Sequence, residues 1–469
     1  MGHHVRGLID ARPFGIASVT EFGARNNGTA DCTAAFNAAL ASPARLIVVP
    51  PGFYRITAPL RIPWNTGKWI LGLGGAKSVA LTIGIPNGNP SRAAIEYTHD
   101  ATRQPNFAGC ALQNLHLIGN NSACHGVHLQ EVSYPLLQNV LIEGFNGAGL
   151  LIDKCQDGSF NNVALVNCGR TSGDPARNAD TEFAALHLIS TIANDHCNML
   201  RFSDCQIENN RVSPYVWIQD AGPIGIWFDR IHAENASAVG ERDFLRSLGG
   251  DCHFSGIAAA GFRQGFLLEG YGNNTFSDCR DVVSVVGPHN VNGSLRMSNV
   301  YCGSLSWTSM GGRSYFTNCT IGDVNISWPA HGPSVFTACS LGNVSIDHAG
   351  AGHAGVRFFN CLMTGYATDT HARDQWLVDC MVEGDVTALA TQSRLENNTI
   401  RGSVVANKTE SSYIPDVKTV YDTAPPTAGT WQAGDKVWHS APTPGGHIGW
   451  VCVPGGSPGN WKEFGRISS

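Results

Sequence analysis

Large apolar side chains recur along the chain, and each begins the same short pattern. A Cys or an aliphatic residue stands three positions later, usually preceded by Asn or Asp, as in Phe202-Ser203-Asp204-Cys205 and Phe316-Thr317-Asn318-Cys319. The series runs from Leu112 to Leu395 at intervals of 18 to 26 residues, with one longer gap of 42 between Phe160 and Phe202. Such internal periodicity indicates a repeat architecture.

The residues between these positions predict strands rather than helices. Short alternating runs bounded by Gly and Asn occur, such as Val324-Asn325-Ile326-Ser327 and Val344-Ser345-Ile346, and no 3.6-residue periodicity is seen. We therefore predict an all-β fold, a right-handed parallel β-helix with one coil per repeat. Coils about 4.8 Å apart would stack Phe on Phe, Cys on Cys and Asn on Asn.

Composition supports this prediction and excludes several classes. Charged residues are 14% of the chain, Gly occurs 54 times, and many of the 15 Cys recur at one phase of the repeat, as small buried hydrophobes do. The net charge of −6 without a Lys/Arg run argues against a nucleic-acid partner. We see no membrane span, no signal peptide, no metal-ligand spacing and no cofactor motif, so we expect no metal and no cofactor.

The two ends of the chain depart from the repeat. Residues 1–45 form an N-terminal segment with a predicted capping helix over Asp31 to Leu40, with Asp31 as its N-cap, before a strand at Leu46. Residues 46–408 would form the β-helix. Residues 409–469 contain four Trp and predict a small C-terminal β-module, in which these rings form a core or stack on sugars.

The N-terminal segment resembles the pectate-lyase-like superfamily, which includes phage tailspike depolymerases and bacterial polysaccharide-degrading enzymes. The resemblance rests on Phe22-Gly23-Ala24, the predicted helix and Pro50-Pro51-Gly52-Phe53-Tyr54, and with the repeats it spans residues 19 to 405. It implies a glycan-active or glycan-binding protein, extracellular or on a virion tail, and a homotrimer. The polygalacturonase motifs Asn-Thr-Asp, Asp-Asp and Arg-Ile-Lys are absent, which argues against pectin as substrate.

Two carboxylates occupy the same phase of neighbouring repeats. Glu208 follows Phe202 by six residues, and Glu234 follows Phe228 by six. Stacking would place their backbones about 4.8 Å apart, near the roughly 5–5.5 Å carboxyl separation of retaining glycosidases. We take these two residues as the candidate catalytic pair. A solvated or backbone-bonding Glu-Asn turn is the competing interpretation.

Further candidates surround this pair. Asp204, Asp229 and His232 are candidate catalytic residues in the same two coils, although the repeat phase of Asp204 is also that of a turn residue. The predicted substrate-binding residues are Arg230, Arg211, Tyr215, Trp217, Asp180 and Glu182, the last two in the polar loop of the long gap. A surface or packing role is the competing interpretation for Arg211, Tyr215 and Trp217, and simple solvation is the competing interpretation for the two loop acids.

These observations predict a depolymerase acting on a bacterial capsular or exopolysaccharide. Hydrolysis by the carboxylate pair is the first mechanism. A polysaccharide lyase, with a base such as His232 and a cation such as Arg230, is the second. A non-catalytic glycan-binding or adhesin-like structural protein is the alternative of a different class.

Overall fold

The fold was analysed in a computed structural model of the chain. The structure describes residues 15–62, 66–85, 92–97, 109–122, 124–169, 184–191, 196–220, 222, 224–236, 239–269, 272–287, 294–307, 313–327, 333–347, 355–368, 375–388, 394–402, 404–406 and 419–469.

Within these residues the chain forms a parallel β-solenoid, followed by a small separate sheet. Sheet A of the solenoid contains Ile16–Ser18, Asn27–Asp31, Leu46–Val49, Gly52–Ile56, Trp69–Gly72, Val79–Ile83, Cys110–Ser122, Pro135–Phe145, Ser159–Val166, Asn198–Ser203, Gln206–Glu208, Ile224–Asp229, His232–Glu234, Cys252–Ser255, Ala258–Ala260, Asn273–Ser277, Ser294–Ser298, Ser314–Thr317, Ser334–Thr337, Val356–Phe359, Trp376–Val378 and Arg394–Glu396. Sheet B contains Leu60–Arg61, Ala93–Tyr97, His125–Gln130, Leu150–Asp153, Leu186–Ile189, Val216–Ile218, Asp243–Ser247, Gln264–Leu268, Val282–Val286, Tyr301–Trp307, Thr320–Ser327, Ser340–Asp347, Leu362–Thr368, Met381–Val382, Val386–Ala388, Thr399–Ile400 and Val404–Ala406. The predicted all-β parallel fold is confirmed.

The predicted Phe ladder forms the core of this solenoid. Phe202, Phe228 and Phe254 are direct register partners on successive strands and are almost fully buried. Their rings stack with centroids 5.0 and 5.4 Å apart. A second run, Phe316 on Phe336, has centroids 4.2 Å apart. Parallel pairing in register therefore turns a one-per-coil aromatic into a continuous apolar column.

A second column lies at the tight turn after the Phe position, where one residue per coil has a left-handed backbone. We call it the αL column; its members from Asn114 to Asn397 have φ between 51° and 63° and are Asn114, Asn139, Asn162, Asp204, Arg230, Gly256, Asp278, Asn299, Asn318, Ala338, Asn360, Asp379 and Asn397. Asn and Asp tolerate this region best among non-Gly residues, because their short side chains bond locally. Their amides also form the predicted ladder, as in Asn162 Nδ2 to Asn139 Oδ1 at 2.8 Å.

The N-terminal segment contains the predicted helix but differs from the prediction in two respects. The α-helix spans Thr33–Ala41 with Cys32 at the N-cap position, so Asp31 is not the N-cap. Asp31 Oδ1 instead accepts a hydrogen bond from the Thr33 amide at 3.0 Å and from the Thr33 hydroxyl at 2.6 Å. Parallel pairing already begins at Ile16–Ser18, which pairs with strand Leu46–Val49, so the solenoid includes part of the predicted N-terminal segment. Two 3-10 helices, Val19–Phe22 and Ala76–Ser78, complete the helical structure of the described residues.

The cysteines behave as the repeat phase predicts. All 15 are buried and none forms a disulfide. Burial raises the pKa of the Cys205 and Cys279 thiols to about 11. Both thiols also lie within hydrogen-bonding range of main-chain carbonyl oxygens of their own coils, those of Ser203 and Ser277 at 3.3 Å. They are therefore packing groups rather than reactive thiols.

Among its described residues, the long gap in the repeat contains one extra strand. Leu186–Ile189 pairs in parallel with Leu150–Asp153 on one side and Val216–Ile218 on the other. The polar loop at residues 170–183 lies outside the described residues, and with it the candidates Asp180 and Glu182.

The tail forms a third sheet of four strands, Thr419–Asp422, Lys436–His439, His447–Cys452 and Trp461–Arg466. Trp431 and Trp450 are buried, and Trp431 packs edge-on against Trp461 with centroids 5.0 Å apart. This burial favours a core role for two of the four rings. No described helix is long and apolar enough to cross a membrane.

Candidate functional site

The structure brings the two predicted carboxylates together. Strand Gln206–Glu208 pairs in parallel with His232–Glu234, so Glu208 lies directly opposite Glu234 and Gln206 opposite His232. Both strands directly follow the αL column, and Ile207 and Ala233 between the polar residues are buried in the core. Alternation along a strand therefore directs both carboxylates and the imidazole outward.

His232 connects the two acids. Its Nε2 lies 3.5 Å from Glu208 Oε1 and 3.6 Å from Glu234 Oε2. These two oxygens are therefore at most about 7 Å apart, and the strand spacing of about 4.8 Å sets their backbones closer still. The His232 side chain is 52% exposed, Glu234 43% and Glu208 26%, so a ligand can reach all three.

Asp204, Arg230 and Asp229 form an ion-pair group at the turn between the two strands of each coil. Arg230 donates two hydrogen bonds to the Asp204 carboxylate, at 2.7 and 2.9 Å, and its other terminal nitrogen contacts Asp229. The hydrogen bonds from Arg230 hold the pKa of Asp204 below its usual value. An acid kept ionised in this way is poorly suited to donate a proton, so the geometry favours a turn role for Asp204.

Three predicted binding residues lie apart from the Glu208–Glu234 pair. Arg211 donates to Asn121 Oδ1 at 2.5 Å and to Asn146 Oδ1 at 3.4 Å, which belong to earlier coils, on the side away from Glu234. Trp217 lies on sheet B, stacked on His187 with centroids 4.9 Å apart. Tyr215 is fully buried.

The assignment of Tyr215 as a sugar-binding residue is therefore wrong. Its hydroxyl donates to Asn235 Oδ1 at 3.0 Å, and its ring packs edge-on against Phe262 with centroids 4.9 Å apart. Burial raises the pKa of this phenol. The position falls where sheet B begins, and the sequence pattern did not reveal that its side chain faces inward.

Among the described residues no group of three or more His, Cys, Asp or Glu is arranged to hold a metal ion.

Sequence reasoning missed a row of polar residues on sheet B. Glu96, His128, His187 and Trp217 occupy equivalent positions on successive strands, with Leu151 between the two histidines. These side chains alternate with core residues and so point away from the core, yet Glu96 and His187 are buried. The sequence feature that could have revealed this row is a single polar residue within a strand whose other residues are mostly apolar.

Burial controls the protonation of the histidines in and beside this row. Desolvation lowers the pKa of His187 to about 4. Desolvation also lowers the pKa of His128, and the negative charges of Asp153 and Glu96 offset part of this effect. His187 Nε2 lies 2.9 Å from Gln219 Oε1. Glu96 is paired with Arg92, whose Nε lies 2.6 Å from Oε1. This sheet B row is a second, more enclosed group of titratable side chains.

Comparison with known families gives one sequence match. Residues 16–213 match the model of a family described as rhamnogalacturonase A/epimerase, pectate lyase-like. The matched region includes Glu208 but ends before Asp229, Arg230, His232 and Glu234. No curated protein sequence matches the chain.

Several solved structures are similar to the chain at low sequence identity. ORF18 of Geobacillus virus E2 is 16% identical with a TM-score of 0.43; the alignment covers 78% of this chain and 63% of that one. The gp42 tailspike of Acinetobacter phage vb_AbaP_AS12 is 12% identical, with a TM-score of 0.38 and coverage of 95% and 76%. PfbA, a surface adhesin of Streptococcus pneumoniae, is 10% identical, with a TM-score of 0.35 and coverage of 96% and 100%.

At these identities and TM-scores the three structures carry no argument about activity, and the chain spans less than two thirds of the Geobacillus virus protein. The family match and the parallel strands agree with each other and with the resemblance seen in the sequence. Residues 16–213 thus resemble the pectate lyase-like family of the rhamnogalacturonase A/epimerase model, and the parallel solenoid continues beyond them.

Proposed function

We propose that the protein is a polysaccharide depolymerase that hydrolyses glycosidic bonds of a bacterial capsular or exopolysaccharide. The observation that supports this most directly is the exposed pair Glu208 and Glu234, in register on adjacent strands, with His232 Nε2 within 3.6 Å of both. Two carboxyl groups at this spacing are what glycoside hydrolysis requires. The match to a family named for a rhamnogalacturonase is consistent with a polysaccharide substrate.

In this proposal one carboxyl donates a proton to the glycosidic oxygen while the other, ionised, attacks the anomeric carbon. Water then releases the sugar from the enzyme, and the first residue accepts its proton. His232 contacts both acids and is a proton-exchange partner for each. The short strand spacing favours this retaining course over an inverting one, which needs a separation of roughly 6.5–9.5 Å to admit water.

Elimination is the second candidate, because His232 is exposed and suited to act as a base beside a uronic acid. An eliminating enzyme also needs a free cation to neutralise the carboxylate of the substrate. Arg230 is the nearest predicted cation, and it is already paired with Asp204 and Asp229. Because Arg230 is paired in this way, we favour hydrolysis over elimination.

The test is incubation of the protein with a panel of bacterial capsular polysaccharides and exopolysaccharides. We expect new reducing ends without the ultraviolet absorbance of an unsaturated uronate. Glu208→Gln and Glu234→Gln should each lower turnover by about a hundredfold or more, because each removes a group that acts in the transition state. Glu383→Gln is the matched control, since Glu383 is an exposed carboxylate paired with Arg401 in a distant coil.

Full activity in both Gln variants would remove the proposed site, and ultraviolet absorbance with each new end would establish elimination. No cleavage across the panel together with measurable polysaccharide binding would favour the non-catalytic, adhesin-like alternative. We further propose that the protein works as a homotrimer, outside the cell or on a virion tail. Light scattering of the purified chain tests the trimer.

A further inference from the structure

One outward-facing row of sheet A is rich in arginine and aromatic residues. It consists of the residue immediately before each core aromatic or its aliphatic substitute, from Arg201 to Arg394. The register partners are consecutive across the whole row: Arg201 opposes Trp227, Trp227 opposes His253, and the series continues strand by strand to Arg394. We call it the arginine row.

The row carries positive charge and no carboxylate. Its four cations are Arg201, Arg296, Arg357 and Arg394, and its remaining members are aromatic, hydroxyl-bearing or apolar, or the single His253. Arg201 and Arg296 are exposed and form no ion pair with any described residue. Uncompensated arginines are unusual in a chain whose net charge is −6.

Each of these guanidinium groups lies over an aromatic ring. The Arg201 guanidinium lies 4.7 Å from the centre of the Trp227 ring, and Arg296 lies 5.6 Å from that of Tyr315. Arg357 and Arg394 stack on Trp376 at 4.2 and 5.1 Å. Stacking restricts the rotamers of each Arg. Arg394 is also ion-paired with Glu396, whereas the exposed guanidinium groups of Arg201 and Arg296 can donate hydrogen bonds to a ligand.

The surface beside the row is shallow and polar. The adjacent outward column contains Ser277, Ser298 and Thr317, and a depression of about 230 Å³ lies over this column, Arg296 and Tyr315. Hydroxyl groups next to guanidinium edges suit a ligand that combines sugar hydroxyls with repeated negative charges. A second copy of the chain fits less well, because its own arginine row would meet these cations without compensation.

We propose that the arginine row is a binding track for an anionic polysaccharide whose carboxylates pair with the guanidinium edges. Carboxylates accept two parallel hydrogen bonds from one guanidinium, so charged groups spaced along a polymer would engage successive arginines. This inference deepens the proposed function, on which it rests, by naming acidic polymers as the substrate class. In the coils of Phe202 and Phe228, the row precedes the tight turn of the αL column, and Glu208 and Glu234 follow that turn.

The experiment measures binding of the full chain to alginate, a carboxylated polymer, with dextran sulfate as a sulfated probe and dextran as a neutral one. The double variant Arg201→Gln/Arg296→Gln is compared with Arg263→Gln/Arg401→Gln, which removes the same charge from arginines paired with Asp243 and Glu383. We expect the first variant to bind alginate at least about tenfold more weakly, and the control less than about twofold. Added salt should weaken wild-type binding, and dextran should not bind.

Equal affinity of the two double variants for alginate, or binding of dextran as strong as that of alginate, would overturn the proposal. Preference for dextran sulfate over alginate would replace carboxylates by sulfates as the recognised groups. A change of molecular mass in light scattering of the row variant, without a change in alginate binding, would identify the row as a contact between copies instead. Binding lost in the row variant, with no cleavage by any form, would support the track while refuting the depolymerase.

Discussion

Asp204 and Arg230 stand 26 residues apart in sequence and occupy the same left-handed position in consecutive coils, where the arginine donates two hydrogen bonds to the carboxylate. Most other coils have Asn or Asp at this point, and amides link several of them along the axis. Here a guanidinium–carboxylate pair replaces the amide pair. The substitution keeps the contact between coils while adding charge next to the candidate site.

The pairing of Asp204 with Arg230 predicts that the stability of the protein depends on pH. Hydrogen bonding to Arg230 lowers the pKa of Asp204 in the folded protein, so its stabilising effect is present above the unfolded pKa of about 3.9 and is lost as the pH falls through the lower folded value. Asp204→Asn keeps the shape and the tolerance for a left-handed backbone. We expect its Tm to lie slightly below that of the wild type at pH 7 and to equal it near pH 2. A constant difference at both pH values would contradict this account.

Ala338 is the weak point of the αL column. It has φ of 53° without the local side-chain hydrogen bonds that help Asn in this region, and it lies between Asn318 and Asn360 in the stack. Ala338→Asn should stabilise the protein by about 1 kcal/mol, because it relieves the left-handed backbone and can extend the amide ladder. Thermal unfolding measures the effect. Ala338→Val should lower the Tm, and a higher Tm in that variant would refute the explanation.

The Phe ladder can be tested at its centre. Phe336 is fully buried, with its ring 4.2 Å from that of Phe316 and 4.8 Å from that of Phe358. Phe336→Ala should cost about 3–5 kcal/mol in the free energy of unfolding, since rigid neighbours cannot fill the cavity. Phe336→Leu should cost markedly less. Chemical denaturation compares the two, and equal losses would show that volume in the column is unimportant.

Buried neutral histidines should make the protein sensitive to acid. The folded pKa of His187 is lowered to about 4, below the unfolded value of about 6.5, so unfolding takes up a proton between these values and stability falls as the pH decreases. His187 should account for roughly 1.5 kcal/mol of lost stability between pH 6.5 and pH 5.

The measurement is the urea midpoint of wild type and His187→Gln across this range. The variant loses packing at every pH, so the informative quantity is the slope of stability against pH. We expect a shallower slope in the variant. Parallel slopes would show that His187 is not the group that takes up the proton.

The sequence alone determined the architecture because the repeat is local. A large apolar residue, a turn residue and a Cys at fixed spacing specify one coil, and parallel stacking in register then follows from burying each coil against the next. The facing of Glu208 and Glu234 was predictable for the same reason, since equal offsets from Phe202 and Phe228 give equal positions on adjacent strands.

Tertiary structure decided what the side chains between these positions do. Tyr215 is buried, Arg211 reaches back to Asn121, and Glu96 and His187 are enclosed although they point away from the core. These outcomes depend on which way the chain turns between sheets and on what covers each face. Spacing along the sequence contains neither fact, because turns of variable length separate sheet B from the regular part of every coil.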